Sequence, residues 1–469
     1  MKIKKEVIIL TLVSALIFLL VFSPHFSYPF PYHIDEWHGI GEALKLSDGS
    51  YTGNMDYFEL GFHLFLFGLS KIFNLVLIYE FLPAIWAILS ALALFWLVYK
   101  KSDNFYLGIL SMIFFASIKS NVNITGLWFF TPLTFAMPLI FLYVYFFTEG
   151  VEKKNKKFIL ISLTLMTLIV FIHAPSFLFF VPISVVYLLF HLNYIKKEWK
   201  FFCIFLAIPI IGILFFKFAL NLNWNQLIPQ LVSQLQFKYG WGVLEINNSP
   251  LELYSIIGYC LAILGIVMSI KKKNYRLFII WPLVLILSII IFKVTKVSYL
   301  VPYQRNLYYF AIVLPVLSAL GTYYLISSIE SKLNIEAKKT LTIALILLIM
   351  FLTFTNYYSI PERISLYQVI NQDDYKALSY LQNEPPGELL ATPFISTAAY
   401  PISKKSPIAS LFFDNLKDRN KVQAFFDSDN CTKMNNLIKE LKPSYILSTK
   451  KIDCNWKIIY SEKDYIYKI

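Results

Sequence analysis

Long apolar runs recur along the chain, separated by short polar stretches in which lysines cluster. Runs near 6–23, 79–99, 104–120, 127–148, 157–173, 177–193, 200–220, 251–270, 276–292, 306–328 and 339–356 each approach the ~20 apolar residues that a helix needs to cross a bilayer. About eleven transmembrane helices follow. The runs are continuous rather than alternating, which predicts helices and not the strands of a barrel. The stretch 59–78 is nearly as apolar, but Glu59, His63 and Lys71 interrupt it. Counting it as a span would invert every later loop against the lysine pattern, so it is read as a helix lying in the outer interface. The turn Phe171-Ile-His-Ala-Pro-Ser176 is read as a tight outer connection between two spans.

Loop charge orients the bundle. Assigned inner segments hold about 19 Lys and Arg, against about 7 in the outer loops before the C-terminal region. The N-terminus is therefore expected in the cytoplasm, behind a retained first helix, since no small-x-small cleavage pattern follows that run. An odd number of spans puts the C-terminal region outside, with the sequons at Asn123, Asn247 and Asn430. A prokaryotic cell membrane suits this pattern better than endoplasmic reticulum. From about residue 360 the pattern changes to helical stretches such as DDYKALSYLQN and CTKMNNLIKELK, alternating with the strand-like runs ELLAT, YILST and WKIIY. The expected fold is a polytopic α-helical membrane domain over 1–359, with a first outer loop at about 24–78, and a small soluble α/β domain over 360–469 on the outer face.

Composition narrows the class further. Among 469 residues, 57% are hydrophobic and 15% charged, too apolar for an ordinary soluble enzyme. The net charge of +13 does not signal nucleic acid, because the lysines sit in loops between spans. Cys203 and Cys260 fall within apolar runs, whereas Cys431 and Cys454 lie in the polar tail and are free to pair if that tail is outside the cell.

Against this background the stretch His33-Ile34-Asp35-Glu36-Trp37-His38-Gly39-Ile40-Gly41 stands out, with two adjacent acids and two histidines beside a membrane. At helical spacing Ile34, Trp37, Gly41 and Leu44 share an apolar face, while Asp35, His38 and Glu42 share the other. The plain alternative is a solvated polar face on an amphipathic helix. Arg305, in the segment Val301-Pro-Tyr-Gln304-Arg305, stands with Lys293 and Lys296 in a short outer loop suited to a lipid head group; for the two lysines, snorkelling at helix ends is the plainer reading.

Together these features resemble the GT-C class of integral membrane glycosyltransferases, which use sugars carried on polyprenyl phosphates. The resemblance rests on the acidic pair in the first outer loop, the Gly61–Lys71 interfacial segment, the His173-Ala-Pro-Ser turn, the Arg305 segment and the outer α/β tail. The acidic pair is most similar to that of protein O-mannosyltransferases and lipid-modifying aminoarabinose-type transferases. By that resemblance Asp35 is the general base and Glu36 the neighbour that orients it. Trp37, His38, Glu42, Asp56, Glu59, His63 and His173 are substrate-binding candidates, and Arg305, Gln304, Lys293 and Lys296 bind the lipid phosphate. The implied partners are a polyprenyl-phosphate sugar, an acceptor glycan, lipid or protein, and membrane lipids.

The chemistry is consistent with one base. A lipid phosphate is already a good leaving group, so inverting transfer needs one carboxylate to take the acceptor proton and cations to meet the phosphate. Oligosaccharyltransferases of the same class use a divalent metal, but they carry a Trp-Trp-Asp-Tyr-Gly-type motif and a second acidic loop motif. Here the corresponding loop, Lys119-Ser-Asn-Val-Asn-Ile-Thr-Gly126, has no acid, so no metal or other cofactor is expected. A transporter or lipid flippase is the rival reading. It would carry ionisable residues within its spans and matched broken halves, neither of which the sequence displays.

Overall fold

The computed structural model describes residues 5–51, 59–120, 126–203, 236–238, 249–330, 335–355, 368–411 and 416–469, with the single positions 214, 225 and 229. The chain divides into two compact units. One comprises residues 1–23, 55–61 and 82–361; the other comprises 24–54, 62–81 and 362–469. Most of the first outer loop thus folds with the C-terminal residues, whereas the sequence reading grouped it with the helical domain.

The first unit is a helical bundle. Among the described residues six stretches are long and apolar enough to cross a membrane: Lys5–Phe26, Leu75–Ser102, Pro132–Glu152, Lys156–His173, Lys273–Thr295 and Tyr303–Ile329. Several expected spans emerge shorter. The run at 104–120 forms the helix Phe105–Ala116, which stops at a C-cap on Ser117, and that at 251–270 forms Ile256–Ser269, which Ser255 caps and starts late. The 177–193 run breaks into Pro175–Leu178, Phe180–Leu189 and Leu192–Lys197. The expected span at 200–220 falls mostly outside the described residues.

Small residues allow a close helix crossing in this bundle. A methyl group at Gly265 would fall on the Leu317 carbonyl, and one at Gly321 on the Leu261 carbonyl, so Ile256–Ser269 and Leu314–Glu330 meet backbone to backbone. Buried Lys101 bridges Glu149 and Glu152 at 2.9 Å each, and Tyr187 donates to Glu152 at 2.8 Å. Charge buried there is paired, as its desolvation demands.

The second unit is built on a five-stranded sheet in the order β4-β3-β5-β7-β6. The strands are β3 (Glu388–Leu390), β4 (Ser406–Pro407), β5 (Tyr445–Ser448), β6 (Lys457–Ser461) and β7 (Tyr465–Lys468); β1 (Gln236–Lys238) and β2 (Val297–Tyr299) form an antiparallel pair in the first unit. β3 runs parallel to β4 and β5, and β7 antiparallel to β5 and β6. ELLAT, YILST and WKIIY lie on β3, β5 and β6. Leu390, Val422, Phe425, Met434, Ile438, Ile446 and Tyr467 form its core. Cys431 and Cys454 are disulfide-bonded, with Cα atoms 5.7 Å apart.

The loop residues join this unit through long-range bonds. Tyr28 Oη donates to the Ile370 carbonyl at 2.8 Å, across 342 positions of sequence. The helix Ile34–Asp48 packs against Pro393–Ser403. The 59–78 stretch, expected to lie in the interface, forms Leu60–Ser70 and Leu75–Ile78 with a turn between. Eleven residues rise only about 16 Å, too short for a span.

Candidate active site

In the second unit the candidate residues sit on the helix Ile34–Asp48, which is fixed at both ends. His33, at the N-cap, accepts the Asp35 N–H on Nδ1 at 3.1 Å. Glu36 reaches back to accept the N–H groups of Tyr32 (2.9 Å) and His33 (2.8 Å). This reciprocal arrangement is a capping box with His33 in the place of the usual hydroxyl residue. At the far end Gly49, at φ 69°, takes the left-handed conformation that lets its N–H close on the Lys45 carbonyl.

The cap separates the roles of the acidic pair. Glu36 is 1% exposed and its Oε2 is committed to two backbone donors, so its part in the geometry is to hold the start of the helix. Asp35 is the more exposed member of the pair. Its Oδ2 lies 3.4 Å from His33 Nδ1, and its side chain is 34% exposed.

The continuous helix carries Asp35, His38 and Glu42 along one stripe, as their spacing requires. Glu42 is buried and paired with Lys45 at 2.6 Å. His38 stands edge-on to His63 with ring centroids 6.2 Å apart, and the buried His63 meets Tyr51 Oη at 3.3 Å through Nδ1. Trp37 is wholly buried, its indole donating to the Pro31 carbonyl at 3.0 Å, which makes it a packing anchor of this helix. Asp56 lies outside the described residues.

A cavity of about 240 Å³ opens along this stripe, between the Trp37–Lys45 portion of the helix and residues 396–410. Tyr400 lines it and is held by Asp48, which accepts its hydroxyl at 2.8 Å and also meets Lys404 at 3.3 Å. Burial pushes the Asp48 carboxyl up, but these two donors outweigh it and leave Asp48 below its ordinary value.

The first unit holds a second constellation. His173 ends the helix Lys156–His173, and its Nδ1 lies 2.7 Å from Ser176 Oγ. Ser176 Oγ is 3.0 Å from Tyr309 Oη, and Glu59 Oε1 is 3.9 Å from His173 Nε2. Tyr309 is fixed by stacking on Phe179 at 3.8 Å and by the Trp281 indole, which donates to its carbonyl at 3.0 Å. Arg305, one turn earlier on Tyr303–Ala311, lies within electrostatic reach of His173 and Tyr309. Gln304 is 1% exposed, and neither of its amide atoms has a partner among the described residues.

The remaining predicted cations are engaged at a helix end. Lys293 Nζ sits over the Tyr303 ring at 5.3 Å, and Lys296 Nζ donates to the Lys293 carbonyl at 3.1 Å. Both are exposed. Sequence reading passed over Lys45, Ser176, Tyr309 and Tyr400. Ser176 lay in the quoted turn, while Tyr309 and Tyr400 carry no local signal.

Among the described residues no three His, Cys, Asp or Glu side chains group in a way that could hold a metal ion.

The fold is GT-C-like, the architecture of a class of membrane glycosyltransferases. The archaeal oligosaccharyltransferase AglB of Archaeoglobus fulgidus, solved with an inhibitory peptide and a dolichol-phosphate, matches 95% of this chain and 69% of its own, with a TM-score of 0.58 at 12% identity. The same organism's oligosaccharyltransferase in complex with Zn and sulfate matches 94% of this chain and 68% of its own, with a TM-score of 0.59 at 14% identity. ArnT from Cupriavidus metallidurans, in the apo state, matches 97% of both chains with a TM-score of 0.55 at 11% identity. At these identities the likeness is one of fold. No family model matches the sequence. No curated protein matches it either.

Proposed function

We propose that this protein is an inverting glycosyltransferase that moves a hexosyl or pentosyl unit from a polyprenyl-phosphate carrier to an acceptor hydroxyl on the extracytoplasmic side of the membrane. The observation that carries this reading is a carboxylate pinned in the first turn of a doubly capped helix yet still 34% exposed. Asp35 takes the acceptor proton as the acceptor oxygen forms its bond to the anomeric carbon. The bond from that carbon to the phosphate oxygen breaks, and the carrier leaves as polyprenyl phosphate. Arg305 meets the phosphate charge, for which its planar fork of donors is suited. The GT-C-like fold and the dolichol-phosphate held by one structural neighbour support a lipid-linked donor. The Cys431–Cys454 disulfide supports an oxidising, extracytoplasmic location for the second unit.

The test is transfer by membranes containing the protein, supplied with radiolabelled polyprenyl-phosphate sugars. Asp35→Asn should lower the rate about 10²–10⁴-fold with thermal stability unchanged, as loss of a general base does. Unchanged transfer by that variant would remove Asp35 from the chemistry. Activity should survive EDTA; abolition by the chelator would require a metal instead.

A further inference from the structure

The cavity beside the Ile34–Asp48 helix has a chemistry of its own. It is lined by Glu42, Lys45, Ser396, Thr397, Tyr400 and Pro407, among others. The Ser396 hydroxyl donates to the Ala391 carbonyl at 3.1 Å and that of Thr397 to the Pro393 carbonyl at 3.0 Å, so each has spent its proton and offers lone pairs. Glu42 adds carboxylate acceptors and Lys45 adds donors. The Tyr400 ring is clamped through its hydroxyl by Asp48. Acceptors, a cation and a held aromatic ring around a small space are what a polyhydroxylated ring requires.

Size and strand geometry argue against other occupants. At about 240 Å³ the cavity is smaller than the roughly 300–1,000 Å³ that drug-sized ligands fill, and too small for acyl chains. A peptide docking as an added strand would use the edge strand β4, but β4 is two residues long and one of them is Pro407, which has no N–H to give.

We infer that this cavity is an acceptor subsite for a saccharide, seating one pyranose unit one to two helical turns along the stripe from Asp35. The inference rests on the transferase reading and deepens it by naming a glycan as the acceptor class. Glu42 and Lys45 hold ring hydroxyls, and the Tyr400 ring, with Lys45 Nζ 5.8 Å and Lys404 Nζ 5.3 Å from its centroid, forms one wall.

Saturation-transfer NMR on the full-length protein in detergent tests this directly. The probes are methyl mannoside, methyl glucoside, methyl N-acetylglucosaminide and a Ser/Thr-containing octapeptide. At least one glycoside should receive saturation, and Tyr400→Ala and Glu42→Gln should each weaken it about tenfold, equivalent to 1.4 kcal/mol. Tyr400→Phe keeps the ring but loses the Asp48 clamp and should bind between wild type and Tyr400→Ala, which separates loss of the ring from loss of folding. Binding by the peptide in place of the sugars, no saturation of any glycoside, or binding indifferent to Tyr400→Ala would each overturn the assignment. If Asp35→Asn retained transfer while glycoside binding still depended on Tyr400, the catalytic reading would fall and the subsite would stand.

Discussion

His33 Nδ1 lies 3.4 Å from Asp35 Oδ2 and at the same time accepts the Asp35 backbone N–H. Through that backbone bond His33 caps the helix and fixes the start of the turn that carries Asp35. His33→Ala should cost about 1 kcal/mol of stability through the lost cap. His33→Asn, which restores a cap acceptor, should recover most of it. Thermal unfolding of the two purified variants decides the point; equal losses would mean that the ring does more than cap.

Glu36 should behave unlike its neighbour. Glu36→Ala leaves the Tyr32 and His33 N–H groups buried without their acceptor, a loss of about 1–3 kcal/mol. Its phenotype is expected in the melting temperature, with transfer per folded molecule largely retained. A stable but inactive Glu36→Gln variant would return Glu36 to the chemistry.

The crossing at Gly265 and Gly321 tolerates no side chain. Gly265→Ala or Gly321→Ala must push Ile256–Ser269 and Leu314–Glu330 apart, at the 1–3 kcal/mol or more that overpacking typically costs. Detergent-solubilised variants should unfold at lower temperature, whereas alanine at Gly68, with open space around it, should be neutral.

The second unit should lose stability as pH rises. Burial and the neighbouring Asp374 raise the Asp464 carboxyl to about 7. In the unfolded chain an aspartate titrates near 4, so between about pH 4 and 7 the folded state holds a proton that the unfolded state has released. Stability is therefore full below about 4 and declines toward 7. Asp464→Asn should flatten the dependence of unfolding temperature on pH in that window; an unchanged slope would place the proton elsewhere.

Opening the Cys431–Cys454 bond should also weaken this unit. The bridge closes a loop with a sequence separation of 23, for which the chain-entropy estimate is about 3 kcal/mol. Thermal unfolding with and without dithiothreitol measures it, and Cys431→Ser should reproduce the reduced behaviour.

What the sequence disclosed follows the range of the forces involved. The tail elements were readable because their periodicity is local: CTKMNNLIKELK repeats at helical spacing and appears as Cys431–Leu441. The stripe of Asp35, His38 and Glu42 was readable for the same reason. The capping role of Glu36 was legible too, because a Glu three residues after a cap is half of a capping box. Tyr400 was invisible, since it meets Asp48 across 352 positions. The helices Phe105–Ala116 and Pro175–Leu189 are shorter than the runs that predicted them, because apolar composition continues past the point at which each helix stops.

The bond from Tyr28 to Ile370 has a consequence in time. The acidic helix leaves the ribosome early, but the partner that anchors its approach follows 342 residues later. At roughly 5–20 residues per second, that interval is on the order of 20–70 s. Throughout it the segment carrying Asp35 waits at the membrane without the surface it packs against. The unit that bears Asp35 is therefore among the last parts of the protein to assemble, and a chain cut short before residue 370 would possess Asp35 without the setting that holds it.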